Sequence, residues 1–349
     1  MISVFRPVQY TSCKDLISNY DGSTSPTPYL PFNYTVEGLT RDVYVKPLHS
    51  HNDYWRAHPL FDALSNGVQS IESDIWHFPT GFSNERTVTD TTSNGLVNTT
   101  VTKYFRNNEV YVGHSDIYLE PINTLNNLYL NPLYQFLEFT NPKFSNDNED
   151  TTRSKNGVFY NSPETPVYLW FDFKTSPNDT YLALKPLLQP FIDANYLTYY
   201  DVQQDKVIEG PLILTITGNL PVELVQEEQD KRYFFLDGPL QLFKASTGSN
   251  DAELTKWSKL SRVVSCDASS LLNGDMQAII KASRSPFTSD QETLIQSFFD
   301  TAHSYGLKTR IWGDVTWPPS IRDSHLKSYY EAGTDFLNVD DLKSASNLF

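Results

Sequence analysis

Cysteine is scarce in this chain of 349 residues. Cys13 and Cys266 are the only two, and they lie far apart in the sequence. Two distant cysteines cannot build a disulfide framework, and they lack the close spacing of a zinc site or a redox pair. We therefore exclude the small disulfide-stabilised folds and cysteine-based chemistry, and we expect two free thiols.

Basic residues are also in short supply. Lysine and arginine total 27 against 42 aspartates and glutamates, which gives a formal net charge of -15 at pH 7. The basic residues form no cluster along the chain, whereas binding to a polyanion requires a positively charged stripe. This excludes a nucleic-acid partner. An acidic chain that handles an anionic substrate would need a cation in its site.

Long apolar runs are missing as well. The first residues, MISVFRPVQYTSC, contain no apolar segment of the length that a signal peptide or a membrane span requires. We accordingly expect a soluble chain without a transmembrane segment. Its compartment and oligomeric state stay open, and a secretory or mitochondria-associated location is the alternative if the natural chain begins upstream.

The chain does contain a series of short β-rich runs, which follow a polar N-terminal extension predicted for residues 1–42. Helical periodicity between several runs is typical of parallel strands with helices packed outside them. Residues 43–349 therefore predict a single-domain α/β fold, a TIM-like (β/α)8 barrel with loop insertions. The eight runs are VYVKPLHS (43–50), VQSIESDI (68–75), EVYVGH (109–114), VYLWFDFK (167–174), LILTIT (212–217), RYFFLD (232–237), KTRIWG (308–313) and FLNVD (336–340).

Two stretches interrupt the expected alternation of strands and helices. Residues 79–108 predict a hairpin around Asn94-Gly95, and residues 141–166 form a polar insertion. A further run, RVVSCDAS at 262–269, is a ninth strand candidate that the pattern does not place.

Residues typical of helix ends predict helices that pack outside the barrel. Pro59 at a first helical position and Gly67 after the last predict a helix over 59–66. Ser289 and Glu292 form a predicted capping box for a helix that ends before Gly306. A third helix is predicted over 320–332.

Charged and imidazole residues occupy the ends of four predicted strands, although strands of a parallel barrel are normally apolar. Members of each pair are two positions apart, so both side chains point to the same face, here the barrel interior at the carboxyl end. Chemistry in TIM barrels takes place at that end. The residues are His49, His51, Glu72, Asp74, His114, Asp172 and Lys174.

Three of these residues form a predicted metal site. The carboxylates of Glu72, Asp74 and Asp172 would repel one another in a narrow mouth, and a bound divalent cation relieves that repulsion. Ligation by oxygen alone favours Mg²⁺, with Ca²⁺ as the alternative, over zinc. Lys174 would add a second positive charge to this site.

The remaining polar residues supply candidates for acid–base chemistry and binding. His51 and His114, on different strands, predict a base and an acid, without indicating which is which. His49 is either an orienting residue or an ordinary strand residue. Trp312 forms either a wall against a substrate head group or a cap on the core. We include Trp312, Asn52 and His49 among the substrate-binding candidates.

Several sequence blocks together resemble a known family. In order, they closely resemble the fungal altered inheritance of mitochondria protein 6 family, from about Pro47 to the end of the chain. That resemblance implies membership of the phospholipase C-like phosphodiesterase superfamily, with a TIM barrel and a Mg²⁺ or Ca²⁺ site. The blocks are HSHNDYWRAHPLFDAL, IESDIW, YVGH, NGVFYNSPET, LWFDFK, YLTYYD, LKTRIWG and TWP.

Glycerophosphodiester phosphodiesterases are one related group. They have a catalytic His on the first strand, a later Pro, an E-x-D metal pair and a second catalytic His. The matching positions here are His51, Pro59, Glu72, Asp74 and His114. Their HRG and PEN signatures are replaced by HND at 51–53 and PLF at 59–61.

Sphingomyelinase D is a second related group, similar in its E-x-D pair and in a D-x-K motif that Asp172 and Lys174 match. It also uses a late Trp, which corresponds to Trp312. Its terminal A-T-x-x-D-N-P-W motif is absent, and FLNVDDL stands in that region. The departures from both groups mean that neither substrate transfers directly.

The sequence as a whole predicts a metal-dependent phosphoric diester hydrolase, or a cyclising lyase, acting on a phospholipid or a glycerophosphodiester. One alternative is a catalytically silent barrel that binds a lipid head group or a protein. A second is a metal-dependent hydrolase of another bond on the same scaffold, because a fold does not determine a function.

Overall fold

The computed structural model describes residues 35–92, 95–143, 154–244, 251–272 and 287–349. Cys13, residues 1–34 of the predicted extension and residues 144–153 of the 141–166 insertion lie outside the described residues. No helix in the described ranges is long and apolar enough to cross a membrane.

Parallel strands form the frame of the molecule. The described strands, in chain order, are β1 Lys46–Ser50, β2 Val68–Phe78, β3 Phe82–Thr92, β4 Gly95–Phe105, β5 Glu109–Val112, β6 Val167–Phe173, β7 Tyr199–Asp201, β8 Lys206–Ile208, β9 Leu212–Gly218, β10 Lys231–Arg232, β11 Phe234–Leu236, β12 Gly238–Pro239, β13 Val263–Asp267, β14 Lys308–Trp312 and β15 Phe336–Val339.

The largest sheet returns on itself as a nearly closed barrel. Its parallel strands follow the order β11, β9, β6, β2, β1, β15, β14, β13 and β12. The first and last are consecutive in sequence, since only Asp237 separates β11 from β12. Taken together, they act as one bent strand that pairs with β9 on one side and with β13 on the other. Counted in this way the barrel has eight strands, and the predicted TIM-like fold is confirmed.

One of the eight predicted barrel strands is wrong. The run at 109–114 contains β5, which pairs antiparallel with the end of β2 and lies off the barrel path. The missing strand is β13, within the unplaced run at 262–269. The physical reason is the connection: a parallel neighbour requires a long crossover, whereas residues 79–108 form a hairpin that returns the chain antiparallel.

That hairpin consists of β3 and β4, which pair from Phe82 opposite Phe105 to Thr92 opposite Gly95. The prediction is therefore confirmed for the strands, while Asn94 of the predicted turn lies outside the described residues. The rings of Phe82 and Phe105 stack 4.4 Å apart at the base of the hairpin. The short strands β7, β8 and β10 form a separate small sheet.

Helices surround the barrel. The described α-helices are α1 Val36–Thr40, α2 Phe61–Ser65, α3 Asn131–Thr140, α4 Pro177–Leu187, α5 Gln189–Asp193, α6 Val222–Gln226, α7 Asp251–Leu260, α8 Ala268–Leu271, α9 Ser289–Ser304, α10 Pro319–Glu331 and α11 Leu342–Ser346. In α1, Val36 and Thr40 are buried, and the Thr40 hydroxyl donates to the carbonyl oxygen of Val158 at 2.8 Å.

All three predicted helices are present, but their ends or caps differ from the predicted positions by one or two residues. Helix α2 begins at Phe61, two residues after the predicted start. The capping box of α9 is made by Thr288 and Gln291, one residue before the predicted pair of Ser289 and Glu292. Helix α10 matches the predicted range of 320–332 to within one residue at each end.

The barrel interior is apolar in its lower half. Tyr168, Trp170, Ile213, Phe235 and Phe336 are buried together in a cluster separate from the main core. The main core fills the space between the strands and the helices. Farther along the strands, toward their carboxyl ends, the inward positions carry charged and imidazole side chains, which is where the candidate site lies.

Candidate active site

The three predicted metal ligands converge at the carboxyl end of the barrel. Asp74 on β2 lies directly opposite Asp172 on β6 in the strand register, and Glu72 is two positions earlier on the same face as Asp74. One oxygen from each carboxylate lies within 4.8 Å of the other two. That spacing suits an ion with oxygen ligands, which in Mg²⁺ or Ca²⁺ sites stand about 2.0–2.6 Å from the metal.

Gly218, the last residue of β9, makes room for Asp172. A side chain at Gly218 would place its Cβ only 2.1 Å from Oδ1 of Asp172, and the φ angle of +73° disfavours any other residue. The sequence reasoning missed this glycine, because only the register between β6 and β9 reveals the close approach.

Lys174 binds two of the three carboxylates. Its Nζ donates to Oδ2 of Asp172 at 2.7 Å and lies 3.0 Å from Oδ2 of Asp74. Burial alone would lower the pKa of Lys174, but hydrogen bonds and charge from Asp172 and Asp74 outweigh it and raise the pKa. Both contacts use Oδ2 of the carboxylate.

Glu72 is buried beneath the mouth and is held from two sides. Nη2 of Arg310 lies 3.7 Å from its Oε1, and Nε2 of His49 lies 3.3 Å from its Oε2. Burial alone would raise the pKa of Glu72, but the charge of Arg310, aided by His49, holds the pKa well below its usual value. Glu72 is therefore an ionised carboxylate, ready to ligate a cation.

Arg310 is itself fixed inside the barrel, although the sequence reasoning assigned it no role. Its Nε donates to Oδ1 of Asn338 at 3.1 Å, and its guanidinium lies 4.8 Å from the centroid of the Trp170 ring. A buried guanidinium with these partners places a permanent positive charge behind Glu72.

His49 lies behind Glu72 and is fully buried. Its Nδ1 lies 2.8 Å from the hydroxyl oxygen of Ser70, and its ring packs edge-on against Trp170. Burial, reinforced by the charge of Arg310, lowers the pKa of His49 to about 3, so the ring is neutral at pH 7. This position favours the orienting role among the roles predicted for His49.

His51 lies closer to solvent, with each ring nitrogen facing a carboxylate. Nδ1 lies 2.7 Å from Oδ1 of Asp340, and Nε2 lies 3.9 Å from Oε2 of Glu72. Burial would lower the pKa of His51, but the hydrogen bond to Asp340 and the charges of Glu72 and Asp340 outweigh it and raise the pKa. Asp340 ends the run FLNVD and was not assigned a role from the sequence.

His114 reaches the same mouth from outside the barrel. It follows β5, and the backbone N–H of Gly113 donates to the carbonyl oxygen of Asp74 at 3.1 Å. Nδ1 of His114 lies 3.3 Å from Oδ2 of Asp74. Burial and the repulsion of Asp172 raise the pKa of Asp74 to about 6, against the effect of Lys174.

Tyr54 links the two sides of the mouth, although the sequence reasoning gave it no role. Its hydroxyl lies 2.6 Å from Oδ1 of Asn52, 2.9 Å from Oδ2 of Asp74 and 3.3 Å from Nδ1 of His114. Asn52, a predicted substrate-binding residue, is buried, and its side chain contacts Tyr54 and His51.

Asp53 holds the loop that carries His51 and Asn52. It is fully buried, and its carboxylate accepts hydrogen bonds from the Ser50 hydroxyl at 2.6 Å, the Leu60 backbone N–H at 2.6 Å and the Tyr129 hydroxyl at 3.1 Å. Asp53 therefore ties the start of the loop to its end, away from the reacting groups.

Trp312 ends β14 and lines a cavity of about 190 Å³ that includes His51 and Asp340 but none of the three carboxylates, and is formed mainly by β14, β15, α10 and α11. The ring is half exposed, which fits a wall of the site better than a cap on the core. Of the predicted site residues, then, Glu72, Asp74, Asp172, Lys174 and His114 form one contiguous group. His51 joins it through Glu72, and Trp312 stands beside His51.

Comparison with known proteins identifies the family of this chain. The model of a family described as AIM6-like phosphodiesterase domain matches residues 37–103 and 90–237. No solved structure matches the chain at a significant level.

Curated relatives cover most of the chain. A Saccharomyces cerevisiae protein named altered inheritance of mitochondria protein 6 is 34% identical over 333 residues, covering 91% of this chain and 75% of the relative. A Candida glabrata protein of the same name is 35% identical over 324 residues, covering 89% and 73%. A Lachancea thermotolerans protein of that name is 33% identical, covering 95% and 72%. Family model and relatives agree, and the chain belongs to the AIM6-like phosphodiesterase family.

Proposed function

We propose that this chain is a metal-dependent phosphodiesterase acting on a phospholipid or a glycerophosphodiester. The observation that carries the proposal is the convergence of three carboxylates and two imidazoles, each imidazole within reach of a carboxylate, at the carboxyl end of a TIM-like barrel. Active sites of this fold lie at that end, and a phosphodiester requires both charge neutralisation and proton transfer.

Glu72, Asp74 and Asp172 would hold the metal. The set offers oxygen ligands only, which suits Mg²⁺, or alternatively Ca²⁺. When bound, the ion supplies positive charge to the phosphate oxygens as negative charge develops on them. Lys174 compensates part of the excess negative charge of Asp74 and Asp172 and so lowers the barrier to the approach of an anionic diester.

His51 fits the role of general base. Its Nε2 accepts the proton of the attacking hydroxyl as the new oxygen–phosphorus bond forms, and Asp340 at Nδ1 stabilises the imidazolium that results. Because Arg56 donates to the backbone oxygens of His51 and Asp340, the two residues are held together. The raised pKa of His51 agrees with this role.

His114 fits the role of general acid. Its Nδ1 is engaged by Asp74, which leaves Nε2 to donate a proton to the leaving oxygen as the old phosphorus–oxygen bond breaks. If water attacks, the product is a phosphomonoester. If a hydroxyl of the substrate attacks, the product is a cyclic phosphate, so the same residues serve hydrolysis and cyclisation.

A substrate panel analysed by ³¹P NMR tests the proposal. Lysophospholipids, sphingomyelin and glycerophosphodiesters are incubated with the protein in Mg²⁺, and cyclic and open phosphate products are distinguished by their chemical shifts. We expect turnover of at least one diester class by the natural chain and none by the His51→Ala variant. If no diester is turned over although metal is bound, the enzyme hypothesis would be wrong, and a barrel that only binds a head group or a protein would take its place.

A further inference from the structure

Large apolar side chains are exposed on the loops around the candidate site. Trp317 is 76% exposed and Trp55 is 62% exposed, and both lie on loops that follow barrel strands at their carboxyl ends. Ile117 and Tyr118, just after His114, are exposed as well. The ring of Trp55 packs 5.1 Å from that of His114, so this surface reaches the edge of the site itself.

The β3–β4 hairpin adds to this surface. It follows the carboxyl end of β2, on the side of the barrel where the site opens, and exposes Val88, Leu96, Val97, Val101 and Tyr104. Aromatic packing anchors the base of the hairpin, but a two-stranded ribbon is marginally stable without further packing. We call the exposed apolar residues of the loops and the hairpin the apolar rim.

The opposite end of the barrel differs. Among the described residues of that end, Tyr44, which precedes β1, is 78% exposed, and Tyr160, which precedes β6, is half exposed. The other exposed apolar residues, such as Phe139 and Tyr330, are scattered singly on helices, as on most proteins. An apolar surface concentrated at one end indicates an interaction site there.

We infer that the apolar rim docks on a zwitterionic lipid surface and so presents a phosphodiester head group to the mouth of the barrel. Trp and Tyr are the residues that prefer the boundary between lipid and water, because their rings are apolar with a polar edge. The choice of a lipid, rather than a protein, rests on the phosphodiesterase function proposed above.

Charge selects the kind of lipid. The chain carries a formal charge of -15, and Asp116, Asp340 and Asp341 are exposed beside the mouth. An anionic surface would repel this face, whereas a zwitterionic surface of the phosphatidylcholine type would not. Docking would therefore depend on apolar contact and weaken as anionic lipid is added.

Vesicle co-sedimentation tests the inference. We expect the natural chain to bind phosphatidylcholine vesicles and the double variant Trp317→Ala with Ile117→Ser to bind about tenfold more weakly or worse, since each change removes a large apolar contact. The matched control is Tyr44→Ala, which removes an equally exposed aromatic ring from the other end and should bind like the natural chain. Equal binding by all three proteins, or no binding to these vesicles by any, would overturn the inference.

Two further measurements separate this inference from the proposed function. Glu72→Gln should still bind vesicles, because docking does not use the metal site. The double rim variant should turn over a soluble diester at the natural rate but lose at least several-fold on vesicle-embedded substrate. Vesicle binding without any turnover would refute the proposed phosphodiesterase activity and support the docking surface. Turnover of a soluble diester without vesicle binding would support the activity and refute the docking surface.

Discussion

Asp340 and His51 are separated by 289 positions in the sequence, yet Oδ1 of one lies 2.7 Å from Nδ1 of the other. They meet because β1 and β15 are neighbours in the barrel, paired in parallel from Leu48 to Ser50. The hydrogen bond from His51, which outweighs the effect of burial, lowers the pKa of Asp340. The pair fixes which nitrogen of His51 faces the mouth.

Replacing Asp340 by Asn tests that pairing. An amide at this position can donate to Nδ1 and so move the ring proton to Nε2, where a base needs a free lone pair. We expect turnover to fall by about 100-fold or more. Nitrogen-detected NMR of the His51 ring should report the change of tautomer.

Asp341→Asn is the control for that variant. Asp341 caps α11 through the Ser344 backbone N–H at 3.0 Å and makes no contact with His51 in the described structure. It should keep both its stability and its activity, because Asn caps a helix about as well as Asp. Normal turnover in Asp340→Asn would refute the role of the pair.

Metal binding should stabilise the fold through Glu72. Addition of Mg²⁺ at about 100 times its dissociation constant should stabilise the natural chain by ~2.7 kcal/mol, measured by thermal unfolding against a chelator control. Glu72→Gln should lose most of this gain, whereas Glu223→Gln, an exposed glutamate on α6, should keep it. An equal gain in both variants would place the ion elsewhere.

Gly218→Ala should disable the site through Asp172. The added methyl would collide with that carboxylate, so Mg²⁺ affinity and turnover should both fall by at least about tenfold. Gly306→Ala is a close control, because Gly306 has the same φ of +73° and a methyl added there would meet no atom within 4 Å. Both variants should lose about 1–2 kcal/mol from backbone strain, but loss of function in both alike would mean that the collision is irrelevant.

The contribution of His49 to the free energy of unfolding should decrease in acid. Its pKa is about 3 in the folded chain and near 6.5 when unfolded. Between those values the unfolded state binds the additional proton, so the contribution of His49 to stability falls as the pH falls.

Urea unfolding of metal-free protein at pH 6 and pH 5 measures that contribution. Relative to His49→Gln, the natural chain should lose about 1 kcal/mol over this interval. The comparison with the variant is needed because Asp74, whose pKa is raised to about 6, contributes in the opposite direction. A parallel change in both proteins would show that His49 titrates normally.

Strand geometry was sufficient to predict that most of the candidate site residues lie close together. The two-residue spacing of Glu72 and Asp74, and of Asp172 and Lys174, places each pair on one face of a strand, and the barrel brings the strand ends together. His114 does lie at the mouth, but the predicted reason was wrong: the strand before it, β5, is antiparallel and outside the barrel. It reaches Asp74 because β2 continues past the barrel and pairs with β5.

Long-range partners were beyond sequence reasoning. Arg310 looks like any basic residue in the run KTRIWG, and its contact with Glu72 depends on where β14 lies relative to β2 across the barrel. Asp340 and Gly218 likewise depend on strand register. The position of β13, in the run at 262–269, could not be predicted for the same reason, because closure is a property of the whole sheet.

Diester turnover measured as a function of metal decides whether this chain is a metal-dependent phosphodiesterase. Hydrolysis or cyclisation of the best substrate is followed in Mg²⁺, in Ca²⁺ and in chelator, for the natural chain and for Glu72→Gln and His51→Ala. We expect turnover that requires the ion and falls by at least about 100-fold in each variant. Turnover that persists in chelator, or in Glu72→Gln with Mg²⁺ present, would contradict this expectation.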